Sequence, residues 1–231
     1  MFASKRRFAA LVWIALTVPP LAVAGSVDLP VQVGGGYHVP VSSLKEGKFL
    51  ATVRQQYDFS CGSAALSTLL TYQYDYPVSE TVTFTEMFEH GDQEKIKREG
   101  FSLLDLKVFL ERHGFTADGF EAPLDKLASA NIPAVVLLKE NGYSHFVVVK
   151  GVRDGRVLIG DPAGGTRVMS RAHFESLWMN QILFVISNKR ELARFNASVD
   201  WNVAPLSPLA SGVNRDGIAG TLLFKMGPSD F

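Results

Sequence analysis

Apolar positions recur at helical spacing in the first half of the chain and run as strands in the second. From Cys61 to Tyr74, residues Ala65, Leu66, Leu69 and Leu70 fall on one helical face, which predicts a buried helix with Cys61 in its first turn. A second helix is expected over 79–90, followed by a short charged segment to Gly100. Ser102-Leu-Leu-Asp105 is a capping-box variant that opens a helix over 103–113, and Gly114 supplies its left-handed stop. Residues 124–130 read as a further short helix. The texture then changes: 132–138, 144–149, 156–160 and 166–169 are β-rich runs, separated by Glu140-Asn141-Gly142, Arg153-Asp154-Gly155 and the turn residues 161–165. A helix over 171–179 and a last strand over 182–187 complete the pattern. Helices first and an antiparallel sheet second make an α+β domain over 49–189.

Both flanks differ from this core. Lys5, Arg6 and Arg7 precede an apolar run from Phe8 to Val18, and Ala22-Val23-Ala24 follows. A positive start, a short apolar stretch and an A-x-A site form a secretory signal peptide over 1–24, cut after Ala24. The apolar run is too short for a membrane span, which needs about 20 residues. No later stretch is long and apolar enough to span, so the expected location is periplasmic. Residues 25–48, with Gly34-Gly35-Gly36, read as an extended arm carrying one short strand. Residues 190–231 read as an irregular extension that packs back through Phe195, Trp201 and Leu222-Leu223-Phe224.

Composition narrows the possibilities. The 231 residues carry 23 basic and 23 acidic side chains and are 47% hydrophobic, which excludes a disordered chain or a rod. Cleavage after Ala24 removes three basic residues and no acidic one, leaving a net charge of −3. Without a basic cluster, nucleic acid is not an expected partner. A single cysteine excludes an internal disulfide, and a free thiol in an oxidising compartment is a liability unless it has a use.

That thiol has candidate partners. Cys61 at a helix start is expected to have a lowered pKa, because the helix dipole and free N–H groups favour thiolate. The small residues Gly62, Ser63, Ala64 and Ala65 keep its approach open and allow close packing. A glutamine amide supplies a donor for a developing oxyanion, and Gln55 and Gln56 both precede the cysteine closely. His145 stands at the mouth of a strand, where a general base can reach a cleft. Asp161 ends the next strand, so a hairpin brings it beside His145, where it can orient the imidazole. Asp161-Pro162 is also an ordinary turn starter, and the two roles are compatible. No metal-ligand cluster is legible and no cofactor is expected.

The order Gln, Cys at a helix start, His at a strand start and a polar partner at the next strand's end is papain-like. Residues 55–66, Gln-Gln-Tyr-Asp-Phe-Ser-Cys-Gly-Ser-Ala-Ala-Leu, resemble the nucleophile motif of the C39 peptidases. Gly142-Tyr-Ser-His145-Phe-Val-Val resembles their histidine motif, and Gly160-Asp161-Pro-Ala-Gly-Gly165 their Asp-Pro motif. The resemblance covers about residues 50–188. It implies a papain-like fold with N-terminal helices packed on a C-terminal antiparallel sheet. It also implies that Gln55, six before the cysteine, is the oxyanion residue. Many members have Asp directly before the cysteine, where this chain has Ser60.

The expected activity is therefore that of an exported cysteine endopeptidase with Cys61, His145, Asp161 and Gln55 as its catalytic set. The chain is similar to the exported stand-alone C39 proteins, one group of which accompanies bacterial functional-amyloid export. An exported polypeptide is the expected substrate, and components of an outer-membrane secretion or amyloid system are candidate partners. Two other readings compete. One is a C39-like peptide-binding chaperone or secretion accessory without turnover. The other is a cell-wall endopeptidase of the NlpC/P60 kind, which shares the Cys-then-His order but neither the Gln55 spacing nor the Asp-Pro motif.

Overall fold

A computed structural model describes residues 26–29, 37–40, 44–140 and 142–203. The expected signal peptide, the polyglycine run and Leu222-Leu223-Phe224 lie outside these residues. The chain forms two units, 1–43 and 44–231. In the first, β1 (Ser26–Leu29) and β2 (Tyr37–Pro40) pair antiparallel, with Val27 opposite Val39. The arm thus holds two short strands rather than one.

The second unit opens with one helical turn, α1 (Leu44–Gly47). Next come α2 (Cys61–Thr68), a π-helical continuation Leu69–Gln73, α3 (Glu80–His90), α4 (Gln93–Glu99) and α5 (Leu103–Arg112). The charged segment before Gly100 is therefore helical. Asp92 caps α4 by accepting from the Lys95 N–H, and among its residues Ile96 is buried. One apolar position in seven is too weak a periodic signal to announce a helix. The capping box at Ser102 and Asp105 is formed, and Gly114 follows with φ +75°.

The remaining elements are β3 (Ala117–Glu121), α6 (Leu124–Ala130), β4 (Ala134–Glu140), β5 (Tyr143–Arg153), β6 (Arg156–Asp161), β7 (Gly165–Ser170), α7 (Arg171–Leu177) and β8 (Ile182–Ile186). Six strands form one sheet in the order β3-β8-β4-β5-β6-β7, with antiparallel neighbours. Strand β3 had no sequence signature, because Ala-Asp-Gly-Phe-Glu lacks alternation and lies at a sheet edge, mostly uncovered.

The central strands read as continuous apolar runs because both faces are covered. Val135, Phe146 and Val148 pack with Leu66, Leu69 and Leu70 on one side. Val136, Val147 and Val149 pack with Leu124, Phe174 and Trp178 on the other. Helix α2 approaches β5 so closely that a Cβ on Gly62 would lie 2.8 Å from the Phe101 Cβ and 3.4 Å from the Phe146 ring. This is why a small residue follows Cys61.

Between β8 and residue 203 the chain packs on the domain. A short helix α8 (Ser198–Trp201) buries Asp200 and Trp201, and Phe195 is buried as well. Trp201 lies under the guanidinium groups of Arg153 and Arg156 at 4.5 and 5.1 Å. The β5–β6 register shifts at Lys150, and such a bulge re-aims the side chain it carries. Lys150 is fully buried, ion-paired with Asp200 at 3.0 Å and donating to the Ala51 carbonyl at 2.9 Å. Burial lowers its pKa, and Asp200 opposes that shift. Removing one member of a buried pair strands the other charge. Asp200→Ala is expected to destabilise the domain by about 3–5 kcal/mol in urea unfolding, and Lys150→Met with Asp200→Leu to recover most of that loss.

Candidate active site

Three elements deliver the expected residues to one end of the sheet. Cys61 is the first residue of α2, and the turn before it is closed by Ser60, whose hydroxyl donates to the Tyr57 carbonyl at 3.0 Å and accepts from the Tyr57 N–H at 3.1 Å. Ser60 thus ties the loop locally. The Cys61 sulfur is met by the backbone N–H of Phe146, the residue after His145, and by those of Gly62 and Cys61 itself. Helix start and strand mouth therefore converge on the thiol.

The resting electrostatics differ from the expectation for a helix start. Burial pushes the Cys61 thiol above its ordinary pKa, and the three N–H groups only partly offset it. The nearby Asp161 charge pushes the same way. The expected lowering fails because the cysteine is 9% exposed, and desolvation of a thiolate outweighs a few favourable dipoles. Cys61 at rest is therefore a protonated thiol, and the nucleophile role expected of it would call for a base nearby.

His145, the expected base, stands near the start of β5, next to Phe146. Its Nε2 is buried and lies 3.5 Å from Asp161 Oδ2, an ion-pair distance that is long for a hydrogen bond. Register explains the meeting: Val148 pairs with Gly160, so Asp161 lies diagonally across from His145 on the same face. Asp161 also starts the turn, its Oδ1 accepting from Ala163 N–H at 2.8 Å and Gly164 N–H at 3.2 Å. Burial works against its ionisation, yet His145 and these N–H groups win and hold the carboxyl at a pKa of about 2. The residue that starts the turn is thus also the one that faces His145.

The two glutamines part company. Gln56 donates to the Thr81 hydroxyl on α3 at 3.2 Å, whereas Gln55 donates to the Tyr57 carbonyl within its own loop at 3.1 Å. The Gln55 N–H bonds the Pro162 carbonyl at 3.1 Å, which straps this loop to the turn after Asp161. One amide proton of Gln55 satisfies the loop, and the amide carries a second donor.

Two residues of this neighbourhood gave no sequence signal. Arg167 on β7 donates from Nε to Asp161 Oδ2 at 3.1 Å and reaches Glu140 Oε2 at 2.6 Å. They lie 27 positions apart, and only the sheet order brings them together. Glu140, His145 and Asp161 present ligand-type atoms within 4.8 Å of one another, but the Arg167 guanidinium already lies against both carboxylates. Cys61 opens on a cleft of about 490 Å³ whose lining includes Phe101, Leu103, Leu137, Phe146 and Met179. A separate cavity of about 330 Å³ between α3, α4 and α5 includes none of the candidate residues. His90 and His113 lie outside the site, and His113 instead bonds Tyr76 and Glu86.

The Peptidase C39 family model matches residues 50–190. This chain belongs to the peptidase C39 family. It is accordingly a cysteine peptidase with a papain-like α+β fold. The "Probable functional amyloid protease FapD" of Pseudomonas aeruginosa is 37% identical over 71% of this chain and 72% of its own length. The protein of the same name from Pseudomonas fluorescens is 38% identical over the same shares. The peptidase domain of Streptococcus ComA, a bi-functional ABC transporter, superposes with a TM-score of 0.49 at 23% identity, covering 59% of this chain and 96% of that domain. Among the described residues of this C39 peptidase, no helix is long and apolar enough to cross a membrane.

Two titrations test this electrostatic picture. Because the thiol pKa is raised, alkylation of Cys61 by iodoacetamide in the resting enzyme should climb only above the usual thiol range. A preformed thiolate–imidazolium pair would instead show a plateau in mild acid. Asp161 has a depressed folded pKa, so its stabilising contribution is present above about pH 4 and is lost as pH falls towards 2. The stability difference between wild type and Asp161→Asn, followed by chemical unfolding, should shrink across that window.

Proposed function

We propose that this chain is an exported endopeptidase that matures a secreted polypeptide, with a functional-amyloid component as substrate. The observation that supports the catalytic assignment is that the Phe146 N–H, next to His145, meets the Cys61 sulfur while His145 Nε2 lies 3.5 Å from Asp161 Oδ2. The substrate assignment is supported by the two amyloid-protease relatives, each alike over 71% of this chain. A periplasmic site of action is supported by the order of Lys5-Arg6-Arg7, the apolar run to Val18 and Ala22-Val23-Ala24. Biofilm matrix assembly is the process such cleavage would serve.

In the proposed reaction His145 takes the Cys61 thiol proton as the sulfur attacks the scissile carbonyl carbon. The oxyanion that forms is held by the Cys61 N–H and a Gln55 amide N–H. Collapse breaks the C–N bond, and His145 passes its proton to the leaving amine. A water, deprotonated by His145, then hydrolyses the thioester and regenerates the thiol. Asp161, ionised throughout, orients the imidazole and stabilises its protonated form.

The test is processing of a co-expressed amyloid precursor, read by mass spectrometry of the exported products. Cys61→Ala should leave the precursor uncut while the purified variant keeps a cooperative unfolding transition. Gln55→Ala should lower kcat by about 10²–10³-fold, the usual effect of losing one oxyanion donor. Unchanged processing by a folded Cys61→Ala protein would refute the assignment.

A further inference from the structure

We propose that Arg167, braced by Glu140, is a positioning residue of the catalytic apparatus: its guanidinium locks the Asp161 carboxylate in the orientation that His145 meets. This inference rests on the peptidase reading of the site. Arg167 sits on β7 opposite Ile159 of β6. Its Nε and Nη2 lie 3.1 and 3.0 Å from Asp161 Oδ2. Its Nη1 and Nη2 reach Glu140 Oε1 and Oε2 at 3.4 and 2.6 Å. Glu140 is the last residue of β4, paired with Tyr143 at the start of β5. One guanidinium therefore bridges β7 to β4 across the ends of the two strands that carry His145 and Asp161.

Two physical consequences follow. The terminal torsion of an aspartate is broad and roughly two-fold, so a carboxylate held from one side can swing. Here Oδ1 is pinned by the Ala163 and Gly164 N–H groups and Oδ2 by Arg167. The carboxyl plane is thereby set from both oxygens, and His145 approaches an acceptor that is already fixed. The second consequence is charge. A guanidinium facing Asp161 alone would cancel the negative field that the imidazole needs. Glu140 neutralises that cation and leaves the Asp161 charge available to His145. The ionisable groups around the imidazole are Asp161 from β6, Arg167 from β7 and Glu140 from β4; Cys61 from α2 feels the Asp161 charge, and Glu99 lines the cleft on which Cys61 opens.

The full chain and its Arg167→Gln, Arg167→Lys and Glu140→Gln variants provide the test. Acylation is followed with p-nitrophenyl acetate, an acyl donor too small to use specificity contacts, and the His145 imidazole is titrated by NMR without substrate. Arg167→Gln should slow acylation by about 10- to 100-fold, the scale of a small misplacement of a catalytic group, with KM unchanged. It removes a positive charge and should raise the His145 pKa, whereas Glu140→Gln removes a negative one and should lower it. Arg167→Lys keeps the charge without the planar fork, so its titration should stay near wild type while acylation remains slow. Acylation at the wild-type rate by Arg167→Gln, or Arg167→Gln and Glu140→Gln moving the imidazole titration the same way, would overturn the proposal. If Arg167→Gln does not fold, the other two still decide it: wild-type acylation by Arg167→Lys, or an upward shift of the imidazole titration in Glu140→Gln, would overturn the proposal. The NMR titration needs no turnover, so it reads the positioning role even if the wild-type chain cuts no polypeptide.

Discussion

A carboxylate taken out of water must be given partners, and the end of β6 is built around that requirement. Asp161 is 4% exposed and accepts from the turn that follows it and from Arg167, with His145 at ion-pair distance. Each partner comes from a different stretch of chain. The turn is local, the imidazole comes from β5 and the guanidinium from β7, itself braced by Glu140 on β4. The loop bearing Gln55 is drawn to the same place by the Pro162 carbonyl. Satisfying one buried charge thus assembles most of the site, and its low pKa keeps that charge in place throughout the neutral range.

Strand β5 is the rail on which both the chemistry and the stability run. At its mouth it presents His145, with the Phe146 N–H against the nucleophile. Further along, the bulge at Lys150 sends a buried cation to Asp200 and the Ala51 carbonyl. That ion pair links the segment after β8 to the strand that carries His145, and the Ala51 bond reaches the stretch leading to Gln55. Residues 190–203 are thus part of the domain's packing.

The cysteine shows how local and tertiary effects can oppose each other. Its place in the first turn of α2 favours the thiolate, and three N–H groups are aimed at the sulfur. The same convergence that brings them also buries the thiol, and desolvation prevails. A thiol that stays protonated is less open to oxidation than a thiolate, so the same burial also protects the cysteine.

What could be read without coordinates was whatever depends on neighbours in sequence. The capping box at Ser102, the stop at Gly114, the apolar runs of β4 to β6 and the Asp-Pro turn are local, and the motif spacing that singled out Cys61, His145 and Asp161 survives because those segments are short and regular. Helix α4 and strand β3 escaped because the first buries too few apolar residues and the second lies uncovered at an edge, so neither imposes a pattern on its residues. Arg167 and Glu140 escaped for a different reason: nothing near either of them in sequence distinguishes it from a solvated surface charge. The sequence by itself determined the family, most of the elements and the candidate residues they carry. The resting state of the thiol, the lock on Asp161 and the Lys150–Asp200 tie were decided only in the tertiary structure, because each depends on burial and on partners from strands and helices far apart in the chain.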